Sequence, residues 1–133
     1  MSRSHSKVLI YVILVLIAFA GTLVDWLLWL SGEPVINTAV LAHAAAIVIG
    51  TLLWQFADGK DRGTRASVLS SVMTVVFAPL GSAIHLYQSR DWKAATAILA
   101  AFWGGLVVAV LTANFAGNWI ATNIIFGGVP ASG

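Results

Sequence analysis

The chain has 133 residues, 59% of them hydrophobic and 9% charged, with mean hydropathy +0.92 and a net charge of +2 from 7 Lys and Arg against 5 Asp and Glu. Soluble domains carry about 25% charged residues, so a soluble globular fold is excluded, and the small positive surplus argues against nucleic acid as a partner. Cysteine is absent, which removes disulfides, thiol catalysis and thiolate-held metals.

Four apolar stretches, 8–30, 35–56, 66–86 and 94–117, run 21 to 24 residues each. About 20 residues at 1.5 Å per residue cross a hydrocarbon core. Asp25 is the one Asp, Glu, Lys or Arg inside any of them. The pattern predicts a single integral membrane domain over 1–133, all-α, a bundle of four transmembrane helices with short loops. Residues 118–133 form a short apolar tail broken by Asn118 and Asn123. The first stretch has an alternative reading as a cleaved signal peptide, with Arg3 and Lys7 ahead of it and Ala18-Phe19-Ala20 as the cleavage site. Because the apolar run continues through Trp29 and Leu30, an uncleaved span is the expectation. The short turn 31–34 makes the first two spans antiparallel neighbours.

The third stretch admits two topologies. As a full span it puts five Lys and Arg on the inner side and two outside; entering and leaving on one face, it makes the count seven to zero. Pro79, Gly81 and several hydroxyls suit re-entry. Its 21 residues and the exclusion of lipid-exposed irregular backbone favour a kinked span, in which Pro79 frees only the Val75 carbonyl. Both termini are then cytoplasmic, and the expected location is a bacterial cytoplasmic (inner) membrane. Trp26, Trp29, Trp54, Trp92 and Trp119 fall at span ends as an interfacial belt, with Trp103 alone in mid-span.

The fourth stretch carries a small residue every fourth position: Ala97, Ala101, Gly105, Ala109, Ala113 and Gly117. Ala42, Ala46 and Gly50 repeat this more briefly in the second. Such rows allow close backbone approach where no hydrophobic force pulls helices together. The row packs the bundle internally or docks another chain. Phe102 lies on another face, where replacement by Leu is expected to do little.

The polar residues inside the spans are the remaining candidates. Asp25, His43 and His85 fall in the outer half of the four-span arrangement. A stripe of Ser67, Ser71, Thr74, Ala78, Ser82 and His85 follows helical spacing and ends at His85. Asp and His together relay a proton or fix helix order by a hydrogen bond. His43 and His85 on separate helices are candidate axial ligands of a b-type haem, against which stands their mismatch in depth. The segments 58–63 and 87–93 read as solvated, interfacial turns. No Walker loop, G-x-S-x-G or H-E-x-x-H occurs, and a non-enzymatic role is expected. The expected function is an accessory or structural subunit of a larger membrane assembly, its partners the lipid bilayer and other membrane chains or further copies of itself. The alternatives are a small oligomeric transporter or channel and a haem- or pigment-binding redox subunit.

Overall fold

Three side-chain caps set where helices begin. Asn37, Ser67 and Asp91 sit in extended backbone, and each accepts a hydrogen bond from the backbone N–H three residues on. The computed structural model describes residues 3–65 and 67–125, and these are helical with no strand among them. The helices are α1 (Arg3–Leu30), α2 (Thr38–Asp61), α3 (Val68–Val76), α4 (Ala78–Ser89) and α5 (Trp92–Ile120), the last followed by a π-helical turn at Ala121–Ile125. Gly32 and Gly63 take positive φ, 92° and 70°, just past the ends of α1 and α2. Thr64 N–H closes the second of these ends on Gly59 O at 2.8 Å.

Three helices are long and apolar enough to cross a membrane: α1, α2 and α5. The third apolar stretch, expected as one span over 66–86, is instead divided into helices of 9 and 12 residues, about 14 and 18 Å long. Phe77 between them is extended at φ −153° and ψ 99°. The two pieces fold back on each other. Ser67 Oγ at the start of α3 donates to Gln88 Oε1 near the end of α4 at 2.8 Å, and Gly81 lies directly on the Thr74 backbone, where any side chain would collide. Pro79 thus begins a helix, where its missing N–H costs nothing, rather than kinking one.

This hairpin packs against α2 and α5, and α1 packs against the same two helices from the opposite side. The half of the molecule that contains the hairpin therefore has four elements, and the other half has three. Within the core, Phe102 of α5 is the hub, with ring centroids 4.7 Å from Trp54, 5.0 Å from Tyr11 and 5.5 Å from Trp103. Leu14, Ala18, Leu86, Leu106 and Ala109 complete it. The expectation that Phe102 is peripheral is incorrect, and Trp54, expected in an interfacial belt, is buried in the core.

Lys7 of α1 meets the end of α2 and Arg90 ahead of α5, whereas Trp26 of α1 meets Gly117 of α5. Hence α1 and α5 run parallel. The described ends of the chain, Arg3 and Ile125, lie at opposite ends of the bundle, not on one face as four crossings would require. Every described Lys and Arg, namely Arg3, Lys7, Lys60, Arg62, Arg65, Arg90 and Lys93, belongs to a helix end or loop at the α1 N-terminal end. We call this the charged end. Of the expected tail, 118–125 continues the helix of α5, and 126–133 lies outside the described residues.

The small-residue row on α5 divides. Gly105 receives the Tyr11 hydroxyl, which donates to Phe102 O at 2.9 Å, and a side chain at Gly117 would press on Trp26 at 3.3 Å. Ala109 and Ala113, between them on the same face, are buried, so this half of the row packs against α1. Ala97 and Ala101 remain exposed. On the other side of α1, Gly50 of α2 receives Leu14, the His43 ring lies where a side chain at Gly21 of α1 would stand, and Ala42 is exposed.

Candidate functional site

Two Asp–His pairs organise the polar interior. The larger one is centred on Asp58 in the last turns of α2. Helix α2 runs past the expected end at Phe56, so Thr51, Gln55 and Asp58 share one helical face and all three have no exposed surface. Arg90, just beyond α4, grips the carboxylate with both guanidinium nitrogens, at 2.7 Å to Oδ2 and 2.6 Å to Oδ1. His85 Nε2 of α4 lies 3.0 Å from Oδ2, and Lys7 Nζ of α1 lies 3.1 Å from Oδ1 and 3.6 Å from Asp61. One carboxylate thereby ties α1, α2 and the hairpin together. A bidentate Arg–carboxylate pair combines charge assistance with fixed geometry. Both oxygens are fully occupied, which leaves no open position for a metal or a substrate. No group of three metal-ligating side chains occurs among the described residues.

The hairpin's hydroxyl stripe continues this network into the bundle. Gln55 Nε2 donates to Thr74 Oγ1 at 2.7 Å, and Thr74 donates to Ser70 O. Ser82 Oγ accepts the indole N–H of Trp103 at 2.8 Å and donates to Pro79 O. Folding the stretch into two helices keeps Thr74, Ala78, Ser82 and His85 of the stripe buried, while Ser67 and Ser71 are half-buried and the buried hydroxyl on α3 beside Thr74 is that of Ser70, outside the stripe. Trp103, alone in mid-span, is there to hold the hairpin.

The second pair is Asp25 and His43, joining α1 to α2 in the half without the hairpin, with His43 Nδ1 2.9 Å from Asp25 Oδ2. Asp25 Oδ1 and His43 Nε2 are buried and have no hydrogen-bond partner among the described residues. Of the three residues expected in the outer half, Asp25 and His43 meet, while His85 lies at Asp58. His43 and Asp58 are 15 positions apart on one helix, about 22 Å by helical rise, and His85 is held at Asp58. Two imidazoles so separated cannot ligate one haem iron within a chain.

Two cavities accompany these pairs. One, of about 330 Å³, lies between α1 and α5 at the charged end and is lined by Lys7, Tyr11, Trp54, Asp58, Arg90, Ala101 and Phe102 among others. The other, of about 250 Å³, lies between α2 and α5 beyond the hairpin and is lined by Ala18, His43, Ile47, Trp103, Leu106 and Val110 among others.

Asp58 and Arg90 are the residues that sequence reasoning missed, since charges near span ends read as solvated turns. The available signal was the Thr51–Gln55–Asp58 spacing, which continues a polar helical face past the end of the apolar run. No family model, no curated protein and no solved structure matches this chain.

Proposed function

We propose that the chain is an accessory or structural subunit of a larger membrane assembly, with its charged end on the cytoplasmic side and the α3–α4 hairpin entering the membrane from that side. The charge distribution supports this orientation, because Lys and Arg favour cytoplasmic loops and here all of the described ones gather at one end.

The observation that carries the subunit reading is the hairpin tip. At Phe77 the helix is interrupted, and Phe77 and Val76 are 59% and 73% exposed. The Val75 carbonyl has lost its helical donor, since the fourth residue on is Pro79, and the Leu80 N–H that would serve Val76 bonds Phe77 O instead. With α4 about 18 Å long, the tip reaches the middle of a hydrocarbon core about 30 Å thick. Irregular backbone at that depth is tolerated where protein covers it, and this chain covers the tip on one side only. Another chain supplies the remainder. The polar network argues against a solvent path through the monomer, because Asp58 is held by Arg90, His85 and Lys7, Thr74 by Gln55 and Ser82 by Trp103.

A second reading, a small oligomeric transporter or channel, rests on the unpartnered Asp25 Oδ1 and His43 Nε2. Extraction in native lipid patches followed by mass measurement separates the two. The subunit reading expects foreign chains to co-purify, and expects a photo-cross-linker in place of Phe77 to attach to them. Homo-oligomers alone support transport. A monomer whose residue 77 cross-links only to lipid overturns both.

A further inference from the structure

We infer that the cavity between α1 and α5 at the charged end holds one anionic phospholipid, with its phosphate against Lys7 and Arg90 and one acyl chain lying along Ala101. The inference goes beyond the subunit reading and uses a different face of the molecule.

Lys7 and Arg90 both line the head of the cavity beside the carboxylate of Asp58, with Asp61 3.6 Å from Lys7. The positive surplus at this site comes from the charged end as a whole. Arg90 has five N–H donors and Lys7 three. The bonds to Asp58 and Ser89 and the approach of Lys7 to Asp61 leave donors on both. Arg90 is held nearly buried, with 5% of its side chain exposed, so the site is preformed. The surroundings add to the field: Lys60, Arg62, Arg65 and Lys93 lie at this end with Asp61 and Asp91 as the further acidic groups. Basic pockets between helices at a cytoplasmic membrane face suit anionic headgroups.

The rest of the cavity is apolar, with Val8, Tyr11, Trp54, Ile98 and Phe102 in its wall. It is open to the side, since Val8 and Ala101 are exposed. From Arg90 to Ala101 is 11 positions, about 16 Å along α5, which accommodates much of one acyl chain. This explains the division of the small-residue row. Its far half packs against α1, and its near half, Ala97 and Ala101, leaves a shallow trough uncovered by protein. A headgroup phosphate alone would use only the charged end, so the occupant is a bilayer lipid and not free phosphate.

The test uses the full chain in mild detergent, titrated with phosphatidylglycerol, with phosphatidylcholine of the same acyl chains and with inorganic phosphate, read by native mass spectrometry and by thermal unfolding. One phosphatidylglycerol should bind and raise the Tm, and phosphatidylcholine and phosphate should do neither. Lys7→Gln should weaken binding about fivefold, the effect of one basic residue at an anionic surface; Arg90 and His85 still hold Asp58, so the fold survives. Ala101→Leu, which fills the trough without touching a charge, should abolish the Tm rise. Lys93→Gln, outside the cavity, should weaken binding less than Lys7→Gln does. Equal binding of phosphatidylcholine, binding of phosphate alone, or unaltered phosphatidylglycerol binding by Ala101→Leu overturns the proposal.

Discussion

Asp58–His85 and Asp25–His43 are the same pair of side chains at nearly the same distance, 3.0 and 2.9 Å, in the two halves of one molecule. Around Asp58 the hairpin adds a fourth element, and with it Arg90, so that each carboxylate oxygen has two donors. Around Asp25 no fourth element is found among the described residues, and among these one oxygen and one ring nitrogen are buried without partners. The contrast shows that an intramembrane acid does not have one meaning. A saturated one fixes architecture, whereas an unsaturated one keeps a hydrogen-bonding capacity available to whatever occupies the missing position.

Substitution at the two acids should separate these roles. Asp58→Ala removes the carboxylate that pairs with Lys7 and the nearly buried Arg90 and that bonds His85. Breaking a buried pair from one side costs about 3–5 kcal/mol, so thermal unfolding in detergent should show a large loss of Tm. Asp58→Ala combined with Arg90→Ala should recover part of that loss, because no uncompensated buried charge then remains. An unchanged Tm for Asp58→Ala would remove the distinction between the halves. Asp25→Asn is the smaller effect. It keeps a hydrogen bond to His43, and polar contacts between membrane helices average about 0.6 kcal/mol, so stability should shift by less than about 1 kcal/mol. Any larger change at Asp25 should appear in assembly mass, where a partner chain or a second copy would engage the leftover atoms.

The membrane character, the end of the first span at 30, and the placing of Asp25 and His43 in one half of the molecule were legible in the sequence. They follow from apolar run length and from helical depth, which are local properties. The hairpin was legible only as an alternative. A 21-residue apolar run with Pro79 fits a kinked span as well as two short helices, and the choice rests on long-range features: Gly81 seated on Thr74, Ser67 meeting Gln88, and Trp103 reaching Ser82. The seven-to-zero charge count favoured re-entry of this stretch but was outweighed by length. Asp58 was hidden for a related reason. A carboxylate two residues past an apolar run looks solvated until Arg90, 32 positions on, is brought against it.

The direct test of this architecture is the distance between spin labels at Ser67→Cys and Gln88→Cys, introduced into a chain that has no native cysteine. The hairpin brings these two side chains together, with Ser67 Oγ 2.8 Å from Gln88 Oε1, so the labels should lie well under half the separation of a continuous helix. A straight or mildly kinked span puts the same positions about 31 Å apart by helical rise, and a distance near that value would contradict the account.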